Sequence, residues 1–186
     1  MRRMLSLDPQ QGVVRVQPGL PLAELNRNLA KHRLIFGADP ATRSVTTIGS
    51  VVSVDSIGSH FLQYGSACEA VLEANAVLAN GDKVRLSKVR SRSPNTGNSH
   101  LDEIVTEVAS VLETYRDSGA SVPWKGVARG CGYRIETCNA EFVDLAKLQS
   151  GAEGTLSLLT DITLKIQPMP ESRGVVLVFF ERLDLA

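Results

Sequence analysis

The chain has 186 residues, 20 Lys+Arg against 20 Asp+Glu, and 43% hydrophobic residues with 5% aromatics. That length suits one domain, or two small ones on a shared core, and the balanced charge argues against a general binder of nucleic acid or anionic membrane. No apolar run approaches the roughly 20 residues of a bilayer span, the first ten residues lack the apolar stretch of a signal peptide, and Cys68, Cys131 and Cys138 form no C-x-x-C pair, which suits free thiols in a cytoplasmic protein.

Residues 1–10 read as an N-terminal extension, with the domain running over 11–180. Val13, Val14 and Val16 predict a strand over 11–17, broken at Pro18-Gly19. Pro21 suits the first position of a helix whose apolar face is Leu22, Leu25 and Leu29. Residues 37–66 carry Gly, Ser, Thr, Asp and Pro without a sustained period. A compact domain keeps so long a loop mainly for function, so this is the first place to look for a ligand. Residues 71–79 and 83–86 flank Asn80-Gly81-Asp82, a hairpin signal. Residues 88–98 are polar and basic and read as a flexible loop, with a solvated connection ahead of a phosphate patch as the simpler account of its charges. Ser99-x-x-Asp102 resembles a capping box opening a helix, with Leu101, Ile104, Val105, Val108, Leu112 and Tyr115 on one stripe and Gly119 as its stop. A shorter helix is predicted over 142–149, with Phe142, Leu145 and Leu148 inward. Residues 155–166 and 174–180 read as strands, and the second, apolar on both faces, should be central or covered. The mixture is α+β, with a mixed or antiparallel sheet and flanking helices.

Asp39-Pro40-Ala41-Thr42 and Thr47-Ile48-Gly49-Ser50, followed by Ser53, Ser56, Gly58 and Ser59, could cradle a diphosphate on backbone N–H groups, or could simply be turns. Neither a P-loop nor a Rossmann fingerprint is present. Gly151-Ala-Glu-Gly154-Thr155 suits a helix C-cap and turn, with ligand contact as the second reading. Gly130-Cys-Gly132-Tyr133 is similarly open between tight backbone geometry and a stacking surface. His32, His60 and His100 are isolated and suggest no metal site; His60 reads as a loop histidine ahead of a ligand contact. Cys131 lies near Arg129 and Arg134, with a buried inert thiol as the simpler reading. No catalytic residue stands out.

Five motifs then fall in one family's order over about residues 12–170: VQPGLPLAELN, DPAT with TTIGS, QYG with LANGD, Gly132-Tyr133-Arg134-Ile135, and GAEGTLSLLTDITL. In this the chain resembles the FAD-binding domain of the vanillyl-alcohol oxidase / p-cresol methylhydroxylase (PCMH) superfamily. Its nearest likeness there is to FAD-linked oxidases of the glycolate oxidase and D-lactate dehydrogenase type. The resemblance implies the second subdomain of a PCMH-type FAD-binding domain. It implies that Pro40, Ala41, Thr42, Thr47, Ile48, Gly49, Ser50, Ser53, Val54, Ser56, Gly58 and Ser59 wrap FAD, with Gly154, Thr155 and Leu156 at its far side. It also implies a D-2-hydroxy acid substrate (lactate, glycolate or 2-hydroxyglutarate) and, as in some relatives, an iron–sulfur partner region or subunit.

Departures accompany the likeness. Ser50 replaces the family's second glycine, and Asp55 stands where an asparagine is usual, its charge ill-suited beside a diphosphate. The family's R-G-x-G-T loop and its substrate cap are not in the sequence. The expectation is therefore a piece of a longer flavoprotein, inactive by itself, which self-associates through the surface its missing part would cover. The alternative is a flavin-free scaffold or subunit of the same fold.

Overall fold

The computed structural model describes residues 1–119, 132–172 and 174–182. Its centre is a five-stranded sheet in the order β1-β2-β8-β4-β5. The strands are β1 (Met4–Asp8), β2 (Val13–Val16), β4 (Val71–Val77), β5 (Lys83–Leu86) and β8 (Leu158–Lys165), and every neighbouring pair is antiparallel. Two small ladders flank it: β3 (Leu34–Ile35) with β9 (Gln167–Pro168), and β6 (Lys88–Arg90) with β7 (Phe142–Asp144). Helices α1 (Leu22–Ala30), α2 (Ile48–Ser53), α3 (Phe61–Tyr64), α4 (Ala67–Ala70), α5 (Ser99–Asp117) and α6 (Leu145–Leu148) complete the α+β architecture.

Alternation along the strands makes the sheet two-faced. Val14, Val16, Ala74, Ala76, Ile162 and Leu164 point into one core with Leu22, Leu25 and Leu29 of α1 and Leu101, Val105 and Leu112 of α5. The opposite face is polar and cross-linked. Asp161 on β8 accepts from Arg15 Nε on β2 (2.6 Å) and from Asn75 Nδ2 on β4 (3.0 Å). These bonds tie three adjacent strands and pin their register.

The hairpin at Asn80-Gly81-Asp82 forms, with Gly81 at φ 90°. The long helix also forms and stops at Gly119 (φ 69°). Its cap, however, is Asn98, whose side chain accepts from Leu101 N (2.8 Å). Asp102, the expected capping partner, instead accepts from Thr96 N and Oγ1.

Four local expectations fail. Residues 1–10 are not merely an extension, because β1 pairs with β2. Residues 88–98 are not a loop throughout: β6 occupies 88–90, and buried Ser91 donates to Ala140 O (2.6 Å). The helix predicted over 142–149 is a strand followed by one helical turn. Pairing of Val143 with Val89 overrides the local apolar spacing, and Asp144 caps α6 by accepting from Lys147 N. Residues 174–180 form no strand, and Val175, Val176, Leu177, Val178, Phe179 and Phe180 are all exposed. Apolar β-formers favour extension, but a strand requires a neighbour to bond.

Candidate functional site

The Pro18-Gly19 turn and the Thr46–Ser50 segment are stitched together. Leu22 N donates to Thr46 O, Ile48 N to Leu20 O, and Gly49 N to Pro18 O (2.7 Å). A Cβ on Gly49 would lie 2.7 Å from Pro18 Cβ, so the glycine is required by close packing. Ile48 is core. Thr47 caps α2 by accepting from Ser50 N, and the N–H groups of Val51, Val54, Asp55 and Ser56 bond within the same segment. The N–H groups of Ile48, Gly49 and Ser50 are therefore all engaged, and this part of the expected nest offers no free amides. The backbone N–H groups of Ile57, Gly58 and Ser59 have no hydrogen-bond partner among the described residues.

Asp55 does not face outward. It is buried at φ 48°, its Oδ1 accepts from Cys68 N (2.7 Å), and its Oδ2 accepts from Arg134 Nη1 (2.6 Å). The Arg134 side chain is only 11% exposed. Its Nε also lies 2.8 Å from Glu136 Oε1, too far out of line for a hydrogen bond, so that contact is an ion pair. Arg134 was not among the expected site residues. The only sequence signal for it was a cation following Gly132-Tyr133.

The Asp55–Arg134 pair draws a remote segment onto α2. Glu153 N donates to Ser53 O (2.9 Å), and Tyr133 Oη lies 2.9 Å from Thr155 Oγ1. Gly151 (φ 78°) is packed under Gly132 O, where a Cβ has no room. Ser53 and Val54 are thus brought together with the turn carrying Gly154, Thr155 and Leu156. Val54 is 46%, Leu156 41% and Tyr133 45% exposed, so the band offers apolar surface beside hydroxyl groups. A Cβ on Gly154 would meet nothing within 4 Å, leaving room for a flat group to lie on the turn.

Pro40, Ala41 and Thr42 belong to a second cluster. Thr42 O accepts from Val45 N and Thr46 N, closing a turn. Beside it Asp39 pairs with His60 (3.3 Å) and Arg43 (3.6 Å), and Gly58 packs directly on Asp39. Asp39, Arg43 and His60 border a cavity of about 420 Å³ that also takes in Asn26, Tyr64 and Met169, whereas Pro40, Ala41, Thr42 and Gly58 do not line it. Cys131 and Arg129 lie outside the described residues. Burial pushes the Cys68 thiol up to about 12, in keeping with an unreactive core cysteine.

The arrangement suits FAD as one wall of a site. It offers small residues, exposed hydroxyls, unengaged amides at 57–59 and the exposed apolar side chains of Val54 and Leu156.

Comparison with known proteins agrees. Residues 1–87 match the family model of the FAD binding domain. The chain is 26% identical to D-2-hydroxyglutarate dehydrogenase of Pantoea ananatis (strain AJ13355), covering 100% of this chain and 19% of that protein. It is 27% identical to glycolate oxidase subunit GlcD of Bacillus subtilis (strain 168), covering 100% and 30%. It is 29% identical to the mitochondrial cytochrome D-lactate dehydrogenase of Arabidopsis thaliana, covering 97% and 23%. The chain therefore spans only 19–30% of the length of these relatives. The fold matches alkyldihydroxyacetonephosphate synthase with TM-score 0.55 at 19% identity, over 92% of this chain and 22% of that one. No helix among the described residues is long and apolar enough to cross a membrane. Residues 1–87 thus match the FAD binding domain, on a chain similar in sequence to a D-2-hydroxyglutarate dehydrogenase, a glycolate oxidase subunit and a D-lactate dehydrogenase.

Proposed function

We infer that this chain forms one wall of an FAD site in a flavin-dependent oxidoreductase acting on a D-2-hydroxy acid. The observation that carries the reading is the meeting of two motifs distant in sequence, Ser53-Val54 and Gly154-Thr155-Leu156, joined by the Glu153–Ser53 and Tyr133–Thr155 contacts. The names of the relatives support the substrate class. Bound FAD would supply the hydride-accepting chemistry. The chain's own part is to bind and orient. Val54, Ile57 and Leu156 would cover the apolar ring, the amides of Ile57, Gly58 and Ser59 would donate to phosphate oxygens, and Pro40, Ala41 and Thr42 would border the same cofactor from the second cluster.

The test is flavin-fluorescence quenching on titration of the purified chain with FAD, followed by gel filtration. We expect retained flavin, and a loss of affinity of about tenfold or more when Val54→Glu or Leu156→Glu places a carboxylate on the wall. Absence of binding, or binding that both variants keep, rejects the reading in favour of a flavin-free scaffold.

The wider setting is proposed with it. The protein acts in the cytoplasm and passes electrons to an iron–sulfur partner region or subunit, a role supported by the subunit status in one relative's name. It self-associates through Val175–Phe180, whose exposure supports an interface there. Sedimentation as a monomer at high concentration would overturn that last point.

A further inference from the structure

A strong local charge lies away from the flavin wall and shares no residue with it. The stretch 83–92 carries Lys83, Arg85, Lys88, Arg90 and Arg92 and no acid, in a chain of zero formal net charge. On β5 the alternation buries Val84 and Leu86 and turns Lys83 and Arg85 outward. On β6 it exposes Lys88 and Arg90. Residues 91–96 then turn back, with Ser93 in the left-handed region at φ 57°. Between these segments lies a hollow of about 400 Å³, lined chiefly by Arg85, Lys88, Arg90, Ser87, Ser93 and Asn95, and no carboxylate lines it.

Two of its three cations are already held in place. Glu73 accepts from Arg85 Nε and Nη2. Lys88 Nζ rests 4.6 Å from the centre of the Phe142 ring. Asp144, opposite Lys88 in register, caps α6 instead of pairing with it. Among the described residues no carboxylate pairs with Lys88 or Arg90. Glu73 neutralises Arg85, so the hollow keeps the charge of two cations. The hydroxyls of Ser87 and Ser93 and the amide of Asn95 add neutral donors around them.

We propose that this hollow binds the phosphate group of a soluble phosphomonoester. Such a group carries close to two negative charges and three acceptor oxygens at neutral pH, which matches the two uncompensated cations and the ring of donors. The guanidinium of Arg90 can take two of those oxygens at once. Anchoring of Arg85 and Lys88 before binding lowers the cost of ordering long side chains.

The test is ¹⁵N–¹H chemical-shift titration of the chain with inorganic phosphate and with AMP, against potassium chloride at matched ionic strength. Phosphate and AMP should shift amides over 85–96 selectively, and chloride should not. Arg90→Gln and Lys88→Gln should each weaken the response about fivefold, and Arg90→Lys should restore part of it. Arg27→Gln, an exposed cation on α1, should leave it unchanged. These side chains are exposed, so the spectra of the variants should otherwise overlay. Shifts spread over all exposed Lys and Arg residues, equal response to chloride, or an undiminished wild-type response in Arg90→Gln and Lys88→Gln would overturn the proposal. So would capture by phosphatidic-acid vesicles with no response to either soluble probe, since the surface would then be reading a membrane.

Discussion

Replacing Arg134 with Met tests the junction that holds the proposed flavin wall together. The guanidinium is 11% exposed and the Asp55 carboxylate it meets is 4% exposed, so water screens the pair little. Methionine roughly preserves the length of the side chain and removes its charge. Asp55 would keep its bond from Cys68 N but lose its cation. Breaking a buried pair on one side costs about 3–5 kcal/mol. For a chain of this size that lowers the melting temperature by roughly 6–20 °C. Urea unfolding of the wild type, Arg134→Met, Asp55→Asn and the double variant forms a double-mutant cycle. Asparagine tolerates the positive φ at position 55 and can still accept from Cys68 N. The double variant should therefore be markedly more stable than the sum of the two single losses predicts. Additive losses, or a loss below about 1 kcal/mol in Arg134→Met, would refute the reasoning.

Three further outcomes follow from the packing. Gly49→Val should destabilise the fold by about 1–3 kcal/mol in urea, because its side chain meets the Pro18 ring; any effect on flavin binding would then be read through folding. Asn98→Ala removes both the cap on Leu101 N and the bond to Asp82, and should cost about 1 kcal/mol by the same assay, with fraying at the start of α5 seen by amide exchange. In a Cys131→Ser background, stability should fall as pH rises from 9 towards 12. The Cys68 thiol ionises near 9.0 when unfolded but is held protonated to about 12 by burial, so alkali favours the unfolded chain. Cys138, whose thiol burial also pushes up, acts in the same direction. Cys68→Ala should flatten the decline.

Features encoded within a few residues were legible in the sequence. The stripe of α1, the stripe and stop of α5 and the Asn80-Gly81-Asp82 hairpin depend on local spacing and turn chemistry. Features decided by distant partners were not. Residues 142–144 become a strand because β6 lies beside them, and 174–180 form none because no strand among the described residues lies beside them. The ordered motifs put Gly154-Thr155-Leu156 at the far side of a cofactor from Ser53-Val54, whereas the fold sets the 153–156 turn directly beside Ser53. The same motifs suggested free amides in this region, but those of Ile48, Gly49 and Ser50 bond within the chain. They also made Asp55 look misplaced, because its counterion stands 79 positions away.

The position of β8 between β2 and β4 bears on how the chain is made. When Leu86 has emerged from the ribosome, the β1–β2 and β4–β5 hairpins each still present an open edge, and one absent strand must satisfy both. At ordinary synthesis rates the wait is roughly four to sixteen seconds. During it, two hydrogen-bonding edges beside apolar faces are open to wrong partners. The nascent chain should depend on a holding chaperone over that interval, and rare codons placed between positions 87 and 158 should lower its soluble yield.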